Sequence, residues 1–255
     1  MTSIQSNREF MKSAFGALPS GMSDQSKGEP QPPLQHGCLP NAQKIALPDP
    51  ATCALKERDL YACIKNRRSR RHWTQESLAL EELSFLLWAT QGVDEILNQS
   101  YATLRPVPSG GARHPFETYL VLNRVAGIDP GVYRYLPLTH ELVPHLLGGE
   151  IHEPLMLAAF GQRFVVAAAA VFVWSCVPYR GEWRYAEAAH KVMLLDAGHI
   201  GQNLYLACEA IGAGTCAVGA YDQAAFDQFL NLDGNDEFVV YLAPVGKVPA
   251  PGHEG

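Results

Sequence analysis

Five of the 20 Lys and Arg residues in this 255-residue chain fall within residues 65–71, in the run Lys-Asn-Arg-Arg-Ser-Arg-Arg. We call this run the basic segment. Guanidinium groups bind phosphate oxygens in a bidentate manner, and a serine hydroxyl between them adds a neutral donor. The alternative is a solvent-exposed basic patch without a ligand. Because the whole chain has a formal charge of −6, a local cluster of this kind favours a pocket for one anion over a surface for a polyanion.

A second segment, residues 105–115, reads Arg-Pro-Val-Pro-Ser-Gly-Gly-Ala-Arg-His-Pro, and we call it the glycine loop. Its prolines restrict the backbone, and the adjacent Gly110 and Gly111 let the backbone pass close to a neighbour. Such a loop is suited to lying against a flat or charged ligand. It could also be only a tight connection into the strand predicted to begin at Phe116.

A third segment spans residues 212–219. Gly212, Gly214 and Ala217 match the G-x-G-x-x-G/A pattern of dinucleotide-binding proteins. That pattern requires a strand before it and a helix after it, whereas here a long helix is predicted to end at Gly212. We therefore interpret Gly212 as a helix stop, followed by backbone that can pass close to a ligand.

Other reactive side chains favour structural roles. The six cysteines include no C-x-x-C, and the nine histidines include no H-E-x-x-H, so we expect reduced thiols and no metal site. Cys208 lies on an apolar helix face and is predicted to be buried and inert. His199 lies one helical turn from Asp196 and Asn203, an arrangement that more often satisfies a buried imidazole than makes a catalyst.

Composition limits the class of protein. Apolar residues make up 47% and charged residues 18%, as in ordinary globular proteins. An acidic chain binds nucleic acid and anionic membranes poorly. The N-terminus has no apolar signal region, and the longest apolar run, Phe164 to Trp174, is 11 residues, too short to span a bilayer. We expect a cytoplasmic protein with no nucleic-acid or membrane partner.

The elements that must position these segments are predicted from periodicity and turn residues. Seven of the 18 prolines lie in residues 1–50, which predicts an extended, partly mobile lead-in before a single domain at 51–250. The long apolar helix predicted at 185–211 is expected to be buried centrally or in a subunit interface. The order of elements predicts an α+β fold with a mostly antiparallel sheet flanked by helices. The other predicted helices are 55–66, 78–91 with Gly92 as its stop, 152–160 and one capped by Asp222, and the predicted strands are 116–124, 132–136, 165–175 and 238–242.

In combination, these segments resemble the nitroreductase superfamily of flavoproteins, and within it the SagB-type, azoline oxidase-like branch. The resemblance covers about residues 40–250. It rests on K-N-R-R-S-R-R-H-W at 65–73, L-A-L-E-E-L-S-F-L-L-W-A-T-Q-G-V at 78–93, R-P-V-P-S-G-G-A-R-H-P-F-E at 105–117, D-A-G-H-I-G-Q-N-L-Y-L-A-C-E-A-I-G at 196–212, A-P-V-G-K-V at 243–248 and the lead-in K-I-A-L-P-D-P at 44–50.

The resemblance implies an FMN-binding fold that works as an intertwined homodimer, with the flavin at the subunit interface. It also implies roles for individual residues. Arg67, Arg68, Ser69 and Arg71 would hold the FMN phosphate and ribityl chain, Pro108, Ser109, Gly110, Gly111 and Ala112 would lie along the isoalloxazine, Val218 and Gly219 would face the ring from the partner subunit, and Lys247 would be a further phosphate contact.

The implied activity is an FMN-dependent oxidoreductase that transfers hydride through flavin N5 in a ping-pong cycle. In one form NADH or NADPH reduces the flavin, which then reduces a nitro compound or quinone. In the other, a small-molecule or peptide substrate such as an azoline is oxidised and oxygen reoxidises the flavin. Azoline oxidases use a Lys-Tyr pair for proton removal. Arg184 and Tyr185 are the catalytic candidates here, although an arginine stays protonated and is a poor base.

Two rival functions come from other classes. A non-catalytic flavin-binding protein would bind FMN without turnover. A nucleic-acid-binding module would use the basic segment and show a steep salt dependence. The acidic net charge and the lack of aromatic residues interleaved with the basic segment count against the second rival.

Overall fold

The computed structural model describes residues 2–13, 15–17, 21–98, 101–148 and 150–249. Its strands are β1 (Ile45–Ala46), β2 (Glu95–Leu97), β3 (Ala102–Leu104), β4 (Phe116–Leu122), β5 (Gly131–Leu136), β6 (Glu141–Leu146), β7 (Ala170–Cys176), β8 (Ala213–Thr215) and β9 (Phe238–Lys247). Seven of them form one sheet in the order β1-β6-β5-β4-β7-β9-β8, and β2 pairs with β3 separately. Every neighbouring pair in the large sheet is antiparallel, so the α+β prediction with a mostly antiparallel sheet is confirmed.

The helices lie on both faces of the large sheet. They are α1 (Ser3–Phe10), α2 (Asp24–Lys27), α3 (Leu60–Asn66), α4 (Leu80–Gln91), α5 (His152–Ala158), α6 (Arg163–Val166), α7 (Tyr179–Tyr185), α8 (Ala189–Ala210) and α9 (Gln223–Phe229). Successive side chains of the central strand β7 alternate between the two faces. Phe172 and Trp174 pack with the core beneath α4 and α8, whereas Val171 and Val173 pack with the core beneath α5 and α9.

Local sequence signals predicted several elements correctly. The predicted hairpin is present, with β4 antiparallel to β5. The Asp222 side chain accepts a hydrogen bond from the Ala225 backbone N–H at 3.0 Å and so caps α9. Gly212 has a φ of +66° directly after α8, a conformation that glycine adopts without strain. The last strand is longer than predicted and ends at Lys247 rather than at residue 242.

Two predicted elements begin five residues later than the sequence indicated. Residues 55–59 are not helical, because the Lys56 and Glu57 backbone N–H groups both donate to the Ala210 carbonyl. The predicted strand at 165–175 begins only at Ala170, since residues 163–166 form α6. A short run of apolar residues does not distinguish a strand from a buried helical turn.

The helix predicted at 185–211 is interrupted near its start. Ala186 has a φ of +45°, which no helix can continue, so α7 and α8 are separate helices joined by a 3₁₀ turn. The surface of α8 is also not buried all round in the single chain, because Leu194 and Leu195 are half exposed. Gly92 ends α4 with a φ of −55°. Glycine is needed there because a Cβ would lie 2.6 Å from the Trp88 Cα.

The described part of the lead-in follows the surface of the domain. The Trp183 indole N–H donates to the Glu29 carbonyl at 2.9 Å, and Arg134 donates to the carbonyls of His36 and Gly37 at 3.0 and 2.6 Å. Residues 14, 18–20 and 250–255, which belong to the predicted lead-in and C-terminus, lie outside the described residues. Partial mobility of 1–50 and the single domain at 51–250 stay predictions. Of the helices described, none is both long and apolar enough to cross a bilayer.

Candidate functional site

The basic segment lies beside the edge strand β8. Ser69 forms a parallel bridge with Thr215, and the Arg70 backbone N–H donates to the Thr215 carbonyl at 2.9 Å. The segment therefore extends the edge of the large sheet. This contact brings together two of the three segments that the sequence indicated, the basic segment and residues 212–219.

Tyr205 of α8 links these two segments. Its hydroxyl accepts a hydrogen bond from the Ala217 backbone N–H at 2.9 Å and lies 3.0 Å from the Ser69 Oγ. The Arg67 guanidinium lies over the Tyr205 ring, 5.1 Å from its centroid. Sequence analysis missed Tyr205, because a single tyrosine on a long helix does not by itself indicate a site.

Val218 and Gly219 lie next to this linkage, in the same chain as the basic segment. Val218 is buried and its N–H donates to the Leu242 carbonyl at 2.7 Å, so this N–H is not available to a ligand. The Gly219 N–H has no partner among the described residues, and a Cβ at this position would meet nothing within 4 Å. The exposed donor at this point is thus Gly219.

The guanidinium groups of the basic segment have no acidic partner in the part of the chain that the structure describes. Within the described ranges, none of the four arginines at 67, 68, 70 and 71 forms an ion pair within 4.0 Å. Arg68 donates to the Lys65 carbonyl at 3.0 Å, and Arg71 stacks over the Phe164 ring. The Arg70 Nε is buried and has no hydrogen-bond partner among the described residues. Uncompensated guanidinium groups beside an orphaned buried donor are a donor set suited to a phosphate.

The glycine loop lies against the N-terminal half of α8. The Asp196 carboxylate accepts hydrogen bonds from the Ser109 hydroxyl at 2.6 Å and from the Gly110 N–H at 3.1 Å. Burial raises the pKa of Asp196, and these hydrogen bonds partly lower it again. The structure explains the two glycines by contacts within the protein. A Cβ on Gly110 would overlap Val192, and Gly111 has a φ of +60° and lies against Tyr185.

One chain does not bring the glycine loop to the basic segment. Their anchors on α8, Asp196 and Tyr205, are nine residues apart, which is about 13 Å along the helix axis and half a turn around it. Between these two anchors, α8 exposes a stripe of residues to solvent. We call it the α8 stripe, and it consists of Leu194, Leu195, Gly198, His199 and Gln202.

Arg184 and Tyr185, the catalytic candidates, lie beside Gly111 at the outer side of the glycine loop. Arg184 donates from Nε to the Tyr185 hydroxyl at 3.1 Å and from Nη1 to the Tyr101 hydroxyl at 2.9 Å. The Arg113 guanidinium stacks over the Tyr101 ring, 4.9 Å from its centroid. Sequence analysis did not find Tyr101, because nothing in the sequence around it indicated a site.

Lys247 is not part of the open basic cluster. Its side chain is 4% exposed, and its ammonium is paired with the Glu82 carboxylate and donates to the Ile211 carbonyl at 3.3 Å. An ammonium that is buried and paired has no donor to offer a phosphate in solvent. The structure gives no support to Lys247 as a phosphate contact, and we leave it out of the proposed site.

The comparisons with known proteins agree with this fold. The model of the Nitroreductase family matches residues 64–247. The chain belongs to the nitroreductase family. It is therefore an enzyme of the FMN-dependent oxidoreductase class. A protein of Methanocaldococcus jannaschii that carries the name nitroreductase is 32% identical over 207 residues, which are 81% of this chain and 98% of that protein.

Two further proteins are similar to this nitroreductase-family chain. The trifolitoxin-processing protein TfxB of Rhizobium leguminosarum is 29% identical over 174 residues, which cover 61% of this chain but only 44% of that protein. A crystal structure of a Ralstonia eutropha protein named as a nitroreductase has a TM-score of 0.66 at 25% identity, covering 87% of this chain and 99% of that one. The similarity to TfxB thus concerns less than half of that protein.

The cysteines of this nitroreductase-family chain match their predicted roles where the structure describes them. All six are free thiols. Cys208 is 1% exposed, and burial raises the pKa of its thiol well above the ordinary value. A thiol that stays protonated is a poor nucleophile, so Cys208 is an unsuitable catalytic residue.

His114 makes the stability of the protein depend on pH. Burial, with the positive charges of Arg105 and Arg113, lowers the pKa of His114 to about 2. The unfolded chain binds a proton at His114 near pH 6.5, whereas the folded chain does so only near pH 2. The contribution of His114 to the free energy of unfolding is therefore highest above pH 6.5 and decreases as the pH falls towards 2. We expect His114→Asn to reduce the slope of the unfolding free energy against pH, between about pH 4 and pH 6.5, by about 1.4 kcal/mol per pH unit. Asparagine tolerates the φ of +44° at this position.

Urea denaturation between pH 7 and pH 4 measures this effect. His152→Asn is the matched control, because the His152 side chain is 56% exposed and its loss should leave the slope unchanged. An identical slope in wild type and His114→Asn would show that His114 does not carry the pH dependence.

Proposed function

We propose that the protein binds FMN and transfers hydride from NADH or NADPH to nitro or quinone-type acceptors in a ping-pong cycle. The observation that carries this proposal is the basic segment, whose arginines have no acidic partner among the residues that the structure describes and which Tyr205 joins to Ala217. Arg67, Arg68, Ser69 and Arg71 would hold the FMN phosphate and ribityl chain, and Gly219 would offer its backbone N–H to the ring. When bound, FMN supplies the hydride chemistry at N5.

The positions of the segments favour a site built from two copies of the chain. The basic segment and the glycine loop lie on opposite sides of the α8 stripe. If two copies pack through this stripe, the glycine loop of one copy, residues 108–112, faces the basic segment of the other. In this arrangement Val218 and Gly219 lie with the arginines of their own chain, and the loop comes from the partner subunit. This reverses the division of residues between subunits expected from the sequence.

The α8 stripe gives a direct test of the homodimer. A Leu194→Glu/Leu195→Glu variant would bring two carboxylates into the proposed interface, where unpaired charges are strongly unfavourable. We expect it to be monomeric in light scattering at micromolar concentration and to lose FMN. Leu157→Glu is the control, since Leu157 is 67% exposed on α5 and should leave the dimer intact. A variant that remains a dimer and retains FMN would contradict this arrangement.

The enzymatic proposal is tested by anaerobic half-reactions. Purified protein should be yellow, with about one FMN per chain, and NADH or NADPH should bleach the flavin. Mixing the reduced protein with a nitroaromatic compound or a quinone should restore the oxidised spectrum. Protein that cannot be reconstituted with FMN would remove the proposal.

A second candidate is an FMN-dependent oxidase that dehydrogenates azoline-type peptides and is reoxidised by oxygen. Its support is the similarity to a trifolitoxin-processing protein and the position of Tyr185, whose hydroxyl is held by Arg184 beside the glycine loop. Flavin that is bleached by an azoline peptide and not by either nicotinamide would favour this candidate. Flavin that no donor bleaches would favour a non-catalytic flavin-binding protein.

A further inference from the structure

Arg184 keeps most of its hydrogen-bonding capacity for a ligand. A guanidinium has five N–H donors, and Arg184 uses two of them, both on phenol oxygens. Nη2 donates to no described residue. Arg184 also forms no ion pair within 4.0 Å in the described part of the chain. Its free edge is therefore a fork of N–H groups without an anion.

Three carboxylates near this position are already bound by other groups. Asp196 accepts from Ser109 and Gly110. Glu182 is paired with His190 at 2.7 Å, and Asp24 with Lys27 at 2.9 Å. Arg113, which stacks on Tyr101, likewise has no acidic partner in the described ranges, and its recorded hydrogen bonds go to the backbone carbonyls of Gly111 and Tyr101. Two guanidinium groups without an acidic partner among the described residues, those of Arg184 and Arg113, therefore lie on this side of the glycine loop.

Tyr101 adds a neutral donor to the fork. Its oxygen accepts hydrogen bonds from the Arg184 Nη1 at 2.9 Å and from the Gln25 Nε2 at 2.8 Å. With both of these contacts made to the oxygen, the phenolic hydrogen is left to donate outward. Tyr101 is 37% exposed, so this donor is accessible. A guanidinium fork next to an O–H donor is complementary to a carboxylate.

We propose that Arg184 and Tyr101 bind a carboxylate group of the substrate and hold it beside the glycine loop. The substrate class is then an organic acid, either a small molecule or part of a peptide. Its reacting group lies at the opposite end of the molecule from the carboxylate. This inference rests on the proposed function for the position of the reacting centre. Arg184, a poor base, acts as a positioning residue, and Gln25 of the lead-in orients Tyr101.

Binding is tested first without turnover. Calorimetric titration of wild-type protein with phenylacetate should show binding, and the uncharged phenylacetamide should bind more weakly. We expect Arg184→Gln to weaken phenylacetate binding about tenfold to a hundredfold, the size of one or two charge-assisted hydrogen bonds, and Arg184→Lys to weaken it less. Arg58→Gln, which removes an exposed cation elsewhere, is the matched control for net charge.

The second arm compares the turnover of 4-nitrophenylacetic acid, as its carboxylate, with the turnover of the corresponding amide. In both compounds a methylene separates the ring from the carboxylate or amide, so the reactivity of the nitro group is nearly the same. Wild type should have the lower KM for the acid, and Arg184→Gln should abolish this preference through KM rather than kcat. Equal binding of acid and amide by wild type would overturn the proposal. Loss of FMN in Arg184→Gln would also overturn it, by making Arg184 a cofactor ligand. Protein without flavin or turnover would refute the proposed function alone, because the calorimetry decides the carboxylate site independently.

Discussion

An Arg67→Ala/Arg71→Ala variant is expected to bind FMN about a hundredfold to ten-thousandfold more weakly than wild type and to be purified colourless. Each guanidinium would contribute a charge-assisted pair to the phosphate, and losing one such interaction weakens binding about tenfold to a hundredfold. Neither arginine has an ion-pair partner among the described residues. Their removal should therefore leave no buried acid uncompensated, and the free energy of unfolding should change little.

Riboflavin, which lacks the phosphate, separates a phosphate role from general damage. Quenching of flavin fluorescence on titration with protein gives both dissociation constants. Wild type should prefer FMN to riboflavin, and the double variant should bind the two with similar weak affinity. An Arg58→Ala/Lys56→Ala variant, with the same change of charge at two exposed positions outside the basic segment, should keep the preference. A double arginine variant that still prefers FMN would show that the phosphate is bound elsewhere.

The largest effect on stability is expected for Glu117→Ala. Glu117 is 2% exposed on β4, and its carboxylate accepts from Arg180 at 2.5 Å, from Arg134 at 3.3 Å and from the His36 backbone N–H at 2.7 Å. Removing the carboxylate leaves two buried guanidinium groups without a counter-ion. Breaking a buried ion pair in this way costs about 3–5 kcal/mol, a large share of the stability of an ordinary domain.

Urea denaturation measures the loss, and Glu117→Gln, which keeps the shape and removes the charge, gives a second value if Glu117→Ala does not fold. Glu141→Gln is the matched control, because Glu141 pairs with Lys44 at the surface and such pairs contribute about 0–1 kcal/mol. Since Glu117 also holds the backbone of His36, trypsin should cleave the lead-in after Lys27 or Lys44 faster in the Glu117 variants. Equal stability of the Glu117 and Glu141 variants would show that the buried network is not needed.

The sequence by itself determined the central hairpin, the last strand and most of the longer helices. The alternation of residues 116–124 and the Pro-Gly turn before Val132 predicted the central hairpin, and Asp222 and Gly212 marked a helix start and a helix stop. These signals are local, because a cap, a turn or a left-handed residue acts on neighbours within one or two turns. The basic segment could also be recognised from the sequence, because five charges within seven residues lie close together whatever the tertiary structure.

Only the tertiary structure decided how the candidate site is assembled. Ser69 meets Tyr205, 136 positions away, and Tyr101 meets Arg184, 83 positions away. Lys247 carries the same charge as the arginines of the basic segment, yet Glu82, 165 positions away, pairs with it and keeps it out of the open cluster. Gly110 lies against Val192 of α8 and Gly111 against Tyr185 of α7, contacts that the spacing of residues could not predict. Local spacing fixes which element a residue joins, whereas packing between distant elements fixes which charges remain free, and a ligand is bound by the free charges.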